Sequence, residues 1–477
     1  MRVSVPWWWL VVSIAPLLGC SRTDLLPGSS GNGVTCGPGT YLMGQRCLPL
    51  PTGTGGQPGN GQGGAPGKGG ATGAGGAHGV GGAKGTGGGP SFDAGPPHDA
   101  ASDRFDVGPD LPPPRDAGPP AIGASVTFQI DPAHSGGQPM STLHPPLTRR
   151  WSVTVATGQT LSYPLITTAA VYFTSSGGGS SKLYALSTSD GHTLWGPIDL
   201  GGNSFGSAAD PAYDAGRVFV INGSGLASAF DAATGASAWT RSVGGDIFVG
   251  APVAADGIVL LAPGGSLSAL DENTGAVLYS GLYGGSPTSP AYTPTVAVLD
   301  YIEGSMTAFD PRTGKTVWHN QGCCSGGGGD TPVIYQGRIY SKDFWGTNTT
   351  LDLATGNPLG SFSAQALPAF ENGLGFFLTG MTLEGHDLNG TIKWSFAGDG
   401  MLGSTPLAAG GVVYIGSRSG NLYAVDETTG HQLWVDNVGA PVATANETNG
   451  LAPITGMGAS LDLLVVPANN TMIAYSN

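Results

Sequence analysis

Cys323 and Cys324 stand side by side in the segment NQGCCSGGGGD, residues 320–330. Adjacent cysteines can close an eight-membered disulfide ring, a strained and uncommon redox-active group. The glycines behind them let backbone approach a ligand closely. Cys36 and Cys47 bracket CGPGTYLMGQRC, whose internal turn residues favour a closed loop. A disulfide there adds roughly 2–3 kcal/mol in the chain-entropy picture; two free thiols are the alternative. The eight histidines, His78, His98, His134, His144, His192, His319, His386 and His431, show no i, i+4 pairing, and most fall in expected loops or turns. Neither zinc nor haem-attachment spacing is present. No Gly-x-Ser-x-Gly elbow stands at a strand-to-helix junction, and no phosphate-cradling Gly-Lys-Ser/Thr phrase occurs. Asp330 and Asp343 follow the cysteine pair closely.

The elements that must position these groups come from a phrase repeated about every 40 residues, small-x-Asp-x-x-x-Gly-x-x-x-Trp. Copies occupy 185–195, 229–239, 269–279, 308–318, 350–360, 385–394 and 424–434. A period of this size marks a propeller or solenoid. Each phrase reads as a hairpin: an alternating strand, an Asp that accepts from turn N–H groups, a left-handed Gly, then a strand carrying Trp. Upstream of each lies a second pair of strands led by a proline: Pro164, Pro211, Pro252, Pro290, Pro332, Pro368, Pro406 and Pro453. Proline suits a strand start, where no ladder N–H is needed.

These units predict an all-β, eight-bladed propeller of four-stranded antiparallel blades. Seven blades find their fourth strand in order. The eighth must borrow the strand around Trp151 from the N-terminal side, which leaves no unpaired edge in the ring. Trp151, Trp195, Trp239, Trp318, Trp394 and Trp434 are expected to dock each blade on a neighbouring turn, burying on the order of 200 Å² apiece. The phrase at Asp352 lacks the Trp and the one at Asp387 has a turn one residue shorter, so their joint is expected to be the weakest.

The motif resembles the pyrroloquinoline-quinone-type propeller repeat, A-x-D-x-x-T-G-x-x-x-W, across residues 125–477. The phrase DPAHSG at 131–136 is similar to the lead-in that precedes such rings. The resemblance implies the propeller fold. It leaves activity open, because the family holds cofactor-using alcohol dehydrogenases and cofactor-free members such as the propeller lipoprotein of the outer-membrane barrel-assembly machinery. In the dehydrogenases a vicinal disulfide packs against the quinone, after a Trp-bearing strand. Cys323 and Cys324, between Trp318 and Pro332, hold a comparable place and are the candidate cofactor contacts. The family's calcium ligands and catalytic Asp have no identifiable counterparts here.

Residues 1–19 read as a lipoprotein signal, with Arg2 ahead of a short apolar run and LLGC ending at Cys20, the expected lipidation site. Ser21 after the Cys favours the outer membrane. Multiple acyl chains would anchor the chain stably. Residues 20–50 form a lipidated N-terminus holding the Cys36–Cys47 loop, residues 51–124 a disordered Gly/Pro/Asp-rich stalk, and residues 125–477 the propeller. In an oxidising compartment Cys323 and Cys324 are expected to pair with each other, since no other Cys of the ring is at hand. The ring carries 11 Lys+Arg against 25 Asp+Glu, and residues 1–124 carry 7 of each. That balance disfavours nucleic acid and anionic lipid as partners of the ring.

The reading reached from sequence is an envelope-anchored, monomeric propeller that binds or scaffolds a protein partner, facing the periplasm or the cell surface. No metal and no catalysis are expected. The alternative is a periplasmic alcohol or sugar dehydrogenase using pyrroloquinoline quinone with Ca²⁺.

Overall fold

The computed structural model describes residues 123–477 except 203–208, 245–249, 264–265, 284–287, 301–304, 321–329, 343–347, 443–444 and 446–451. Upstream it describes the backbone of two small antiparallel hairpins, Ser30–Gly31 with Val34–Thr35 and Thr40–Met43 with Arg46–Pro49. They belong to a unit of their own, Met1–Pro96, separate from Pro97–Asn477. Cys20, Cys36, the leader and the stalk up to residue 122 lie outside the described residues, and of Cys47 only the backbone is described.

The second unit is an eight-bladed propeller, and among its described residues there is no helix. Each blade is a four-stranded antiparallel meander. Blades 1–7 run in chain order, from Leu165–Ile166 to Gln432–Asn437. Blade 8 is Gly458–Ala459, Leu464–Ala468, Thr471–Ser476 and then Thr148–Thr154, whose Trp151 faces Ala474. The N-terminal strand thus closes the last blade. The first strand of blade 8 also neighbours that of blade 1, completing the circle.

Middle strands such as Val412–Gly416 are apolar on both faces and fully buried, because each blade is covered by a blade on either side. Outer strands such as Gln432–Asn437 alternate and are largely exposed. The hydrophobic clusters therefore lie between blades: Phe219 and Ile221 of blade 2 meet Val259 and Leu261 of blade 3, for example. First and second strands are joined by two-residue turns with positive φ at both positions, as at Ala215-Gly216 (43° and 80°) and Asn372-Gly373 (49° and 78°). That geometry matches the twist of the flanking strands.

Two of the prolines stand apart from the expected strand starts. Pro211 is inside its strand, opposite Val220, at an inner edge where a missing N–H is tolerated. Pro453 lies well before Gly458–Ala459. Its segment turns inward instead: Ile454 N–H donates to the Asp210 carboxylate at 2.9 Å, and Ile454 O accepts from Tyr163 N–H at 2.9 Å.

The lead-in occupies the axis. A ring of eight first strands leaves eight inner edges, and buried backbone donors and acceptors there need partners. Residues 125–142 supply them. Val126 O accepts from Tyr213 N–H of blade 2, Pro132 O from Tyr292 of blade 4, Ala133 O from Ile334 of blade 5, Ser135 O from Phe370 of blade 6 and Gly136 O from Ala408 of blade 7. Ser125 exchanges backbone bonds with Ile166 of blade 1, Thr127 Oγ1 donates to Pro252 O at blade 3, and Thr142 N–H donates to Leu461 O at blade 8. Asp131 folds the segment back by accepting from Ala133 and Ser135 N–H at 3.0 Å each. His134 is buried, with its ring nitrogens 2.8 Å from Phe128 O and 3.1 Å from Pro290 O. Burial pushes its imidazole down to about 4, although the two carbonyls pull the other way.

Two blade joints bury facing carboxyls. At blades 6 and 7, Glu371 accepts from Gly411 N–H and Glu427 from Asn372 Nδ2, both at 2.8 Å, while the remaining oxygens, Glu371 Oε1 and Glu427 Oε2, meet no donor. Burial first, then the Gly411 contact pulling down and the Glu427 charge pushing up, leave Glu371 at about 7. At blades 2 and 3, burial and the Asp214 carboxylate push Glu272 up to about 9. These groups hold protons more tightly folded than unfolded. Their stabilisation is therefore complete below the ordinary Glu value of 4.5 and is lost as pH rises through about 7 to 9. Thermal melts should show a lower melting temperature at about pH 9 than at about pH 6. Glu371→Gln should flatten part of that fall; a melting temperature that rises over this range would contradict the raised carboxyls of Glu371 and Glu272.

Candidate functional site

Six blade joints are built alike. The aromatic ring on the fourth strand of one blade lies over the turn glycine of the next. Trp151 covers Gly191, Trp195 covers Gly235, Trp239 covers Gly275, Tyr279 covers Gly314, Trp318 covers Gly356 and Trp394 covers Gly430. Every one of these glycines has φ between 67° and 73°. A β-carbon would sit 2.6–2.8 Å from the ring, so the contact requires glycine on both counts. Each ring also donates to the carbonyl of the residue after the turn's first position. Trp239 and Trp394 reach Glu272 O and Glu427 O at 2.8 Å, and the Tyr279 hydroxyl reaches Pro311 O at 2.8 Å. Trp151, Trp195 and Trp318 reach Thr188, Ala232 and Leu353 O at 3.0, 2.9 and 2.9 Å. Trp434 has no such turn to cover, since the last two strands of blade 8 are not joined by a hairpin, and packs edge-on against Tyr475, with centroids 5.5 Å apart.

The joint between blades 5 and 6 lacks this device. Gly360 in Pro358–Ser361 stands where the ring would be, and above Gly390 a β-carbon would meet nothing. What remains is a cavity of about 440 Å³, within the range of about 300–1,000 Å³ that small-ligand pockets occupy. Arg338 Nη1 donates to Leu388 O at 2.5 Å, so the carbonyl that takes a ring donor elsewhere takes a guanidinium here. Tyr340, Phe362, Phe370 and Phe377 form the inner wall, with Tyr340 and Phe370 centroids 4.3 Å apart and Phe362 and Phe377 5.6 Å apart. His386 packs on Phe377 at 4.6 Å, and its Nε2 is 3.0 Å from Glu384 Oε2. Thr379 Oγ1 donates to the same carboxylate oxygen at 3.2 Å. Burial pushes the Tyr340 hydroxyl up, with Arg338 pulling it back. Leu359 (51% exposed) and Ile392 (55% exposed) stand at the mouth. The arrangement suits a flat apolar group carrying a hydrogen-bond donor. It brings no nucleophile up against a base.

His386 belongs to strand Thr382–Asp387 and is buried, which its neighbours in sequence did not reveal. Arg338, Tyr340, Phe362, Phe377 and Glu384 were not singled out either. The missing Trp and the shortened turn were the only signals. Cys323, Cys324 and Asp343 lie outside the described residues. Next to the cysteine segment, Lys342 Nζ donates to the buried Asp330 carboxylate, and Ser341 Oγ donates to Asp300 at 2.6 Å. The axis itself is filled by the chain, with the Phe128 and Tyr163 rings tilted against each other at 5.4 Å. Among the described residues no three His, Cys, Asp or Glu side chains converge as metal ligands.

The profile of the family described as outer membrane protein assembly factor BamB matches residues 184–361 and 302–475. The chain belongs to this family. It is 28% identical to the tetrathionate hydrolase of Acidithiobacillus ferrooxidans over 233 residues, 42% of this chain and 46% of that protein. It is 28% identical to the outer membrane protein assembly factor BamB of Moranella endobia over 182 residues, 33% of this chain and 45% of that one. The chain thus spans about half the length of the curated relatives it matches. Among solved structures, a europium-containing methanol dehydrogenase superposes with a TM-score of 0.58 at 15% identity, covering 75% of this chain and 98% of that one. At that identity the likeness shows the shared propeller fold.

Trp394→Ala should cost roughly 3–5 kcal/mol as a buried large-to-small change. Gly275→Ala should also destabilise, by strain at positive φ and by collision with Trp239, and by more than Gly390→Ala, where only the strain operates. Equal denaturation midpoints for the two alanine variants would refute the ring-over-glycine contact.

Proposed function

We propose that this chain is a binding or scaffolding propeller of the cell envelope, held to a membrane through Cys20 on the stalk of residues 51–124, and that it engages a protein partner at the joint of blades 5 and 6. One observation carries the reading. Six joints spend an aromatic ring on sealing neighbouring blades, and this one leaves the seat open, lined by aromatic side chains and rimmed by exposed Leu359 and Ile392. An aromatic-lined concavity of this kind marks an interaction site more readily than scattered surface apolar residues do. Membership of the assembly-factor family supports a partner in the envelope, and the surplus of acidic over basic residues in the ring supports a partner that is neither nucleic acid nor anionic lipid.

Two experiments test this. A photo-crosslinking side chain placed at Leu359 in the full lipoprotein, in its own membranes, should capture a protein. The same probe at Val317, the matching position of the sealed joint between blades 4 and 5, should not. Equal labelling at both positions, or none at 359, sinks the proposal. The dehydrogenase alternative is tested by calorimetric titration with pyrroloquinoline quinone and Ca²⁺. No binding tighter than millimolar is expected. Micromolar uptake that disappears in Cys323→Ser would replace the scaffold reading with the enzymatic one.

A further inference from the structure

We infer that the open seat between blades 5 and 6 takes the indole ring of a tryptophan side chain supplied by the protein partner. This rests on the reading of that joint as the binding site and goes further by naming what enters it. The rest of the ring shows what such a seat accepts. In five of the six sealed joints the occupant is an indole, laid over the turn glycine with its N–H on the following carbonyl.

The joint of blades 2 and 3 is the decisive comparison. There Arg217 Nη1 and Trp239 Nε1 both donate to Glu272 O, each at 2.8 Å. Arg338 opens the second strand of blade 5, as Arg217 opens that of blade 2. Its Nη1 is already on Leu388 O. A carbonyl oxygen has two acceptor directions, and the second one of Leu388 is unfilled among the described residues. An entering indole N–H completes the same two-donor arrangement. Gly390, with φ 85° and nothing above it, supplies the flat floor.

Charge points the same way. The Arg338 guanidinium at the floor repels an incoming Lys or Arg and attracts an aromatic face. Glu384, with one oxygen engaged by Thr379 and His386, repels a carboxylate. A neutral ring with one N–H donor satisfies both. Leu359 and Ile392 at the mouth are placed to cover the chain on either side of the tryptophan.

The test uses the full chain and N-acetyl-tryptophanamide as probe, followed by ligand-observed NMR. The wild-type chain should bind it at least tenfold more tightly than N-acetyl-leucinamide and N-acetyl-lysinamide. Gly360→Trp supplies the missing ring from the chain itself and should weaken probe binding at least tenfold, with the new indole emitting as a buried one. Independently of that variant, a diazirine derivative of the probe should label peptides spanning 358–363 or 384–392 on the wild-type protein. Lack of probe binding, equal binding of the leucine or lysine probe, undiminished binding to Gly360→Trp, or labelling elsewhere each overturns the inference. A partner still captured from Leu359 when the probe fails would leave the binding site standing and exclude tryptophan as its ligand.

Discussion

The contact between an aromatic ring on one blade and a turn glycine on the next is the interaction on which this propeller depends. Blades cannot bury both faces alone, so stability comes from the interfaces between neighbours, as in other repeat architectures. The ring does two things in one place. It covers apolar surface that would otherwise face water, and it occupies a turn carbonyl that would otherwise need a partner. Because a β-carbon on the glycine would collide with the ring, residue type at two distant positions is set by one contact.

A closed circle creates a second constraint that the docking rings cannot meet. The eight innermost strands leave backbone groups at their inner edges that need partners. The lead-in of residues 125–142 threads the axis and bonds to each blade, accepting at most of them and donating at blades 3 and 8. The strand Thr148–Thr154 follows directly and closes blade 8. The same stretch of chain thus fills the centre and seals the rim. Arg149, Asp436 and Tyr475 lock that seam, with Arg149 Nε 2.9 Å from Asp436 and the Tyr475 hydroxyl 2.8 Å from it.

Within so regular a ring, departures carry information. The joint of blades 7 and 8 lacks a turn glycine because the last two strands of blade 8, Thr471–Ser476 and Thr148–Thr154, are distant in sequence and share no hairpin turn. The joint of blades 5 and 6 has no such topological reason. Its turn is one residue shorter but keeps its glycine, and its arginine is in place; the ring is absent, and an aromatic wall surrounds the gap. Losing a docking ring weakens a joint; keeping a lined cavity in its place makes that joint a site. The joint of blades 6 and 7 also buries polar groups between blades, with Glu371 accepting from Gly411 N–H and Glu427 from Asn372 Nδ2.

The amino-acid sequence alone determined the blade count, the closure through Trp151 and the identity of the odd joint, because these depend on local signals repeated at fixed spacing. Asp, Gly and Trp at set offsets define a hairpin wherever they occur. The absence of Trp at 360 and the short turn after Asp387 are visible by inspection. Only the tertiary structure decided that this absence leaves a lined cavity. Its wall combines Arg338, Tyr340 and Phe362 of blade 5 and its exit with Phe370, Phe377, Glu384 and His386 of blade 6, residues that fall on different strands of two blades and share no motif. The path of residues 125–142 was equally hidden. Its backbone bonds are non-local, to blades up to some 300 residues away in sequence, and a carbonyl's partner leaves no mark on the residue type that bears it.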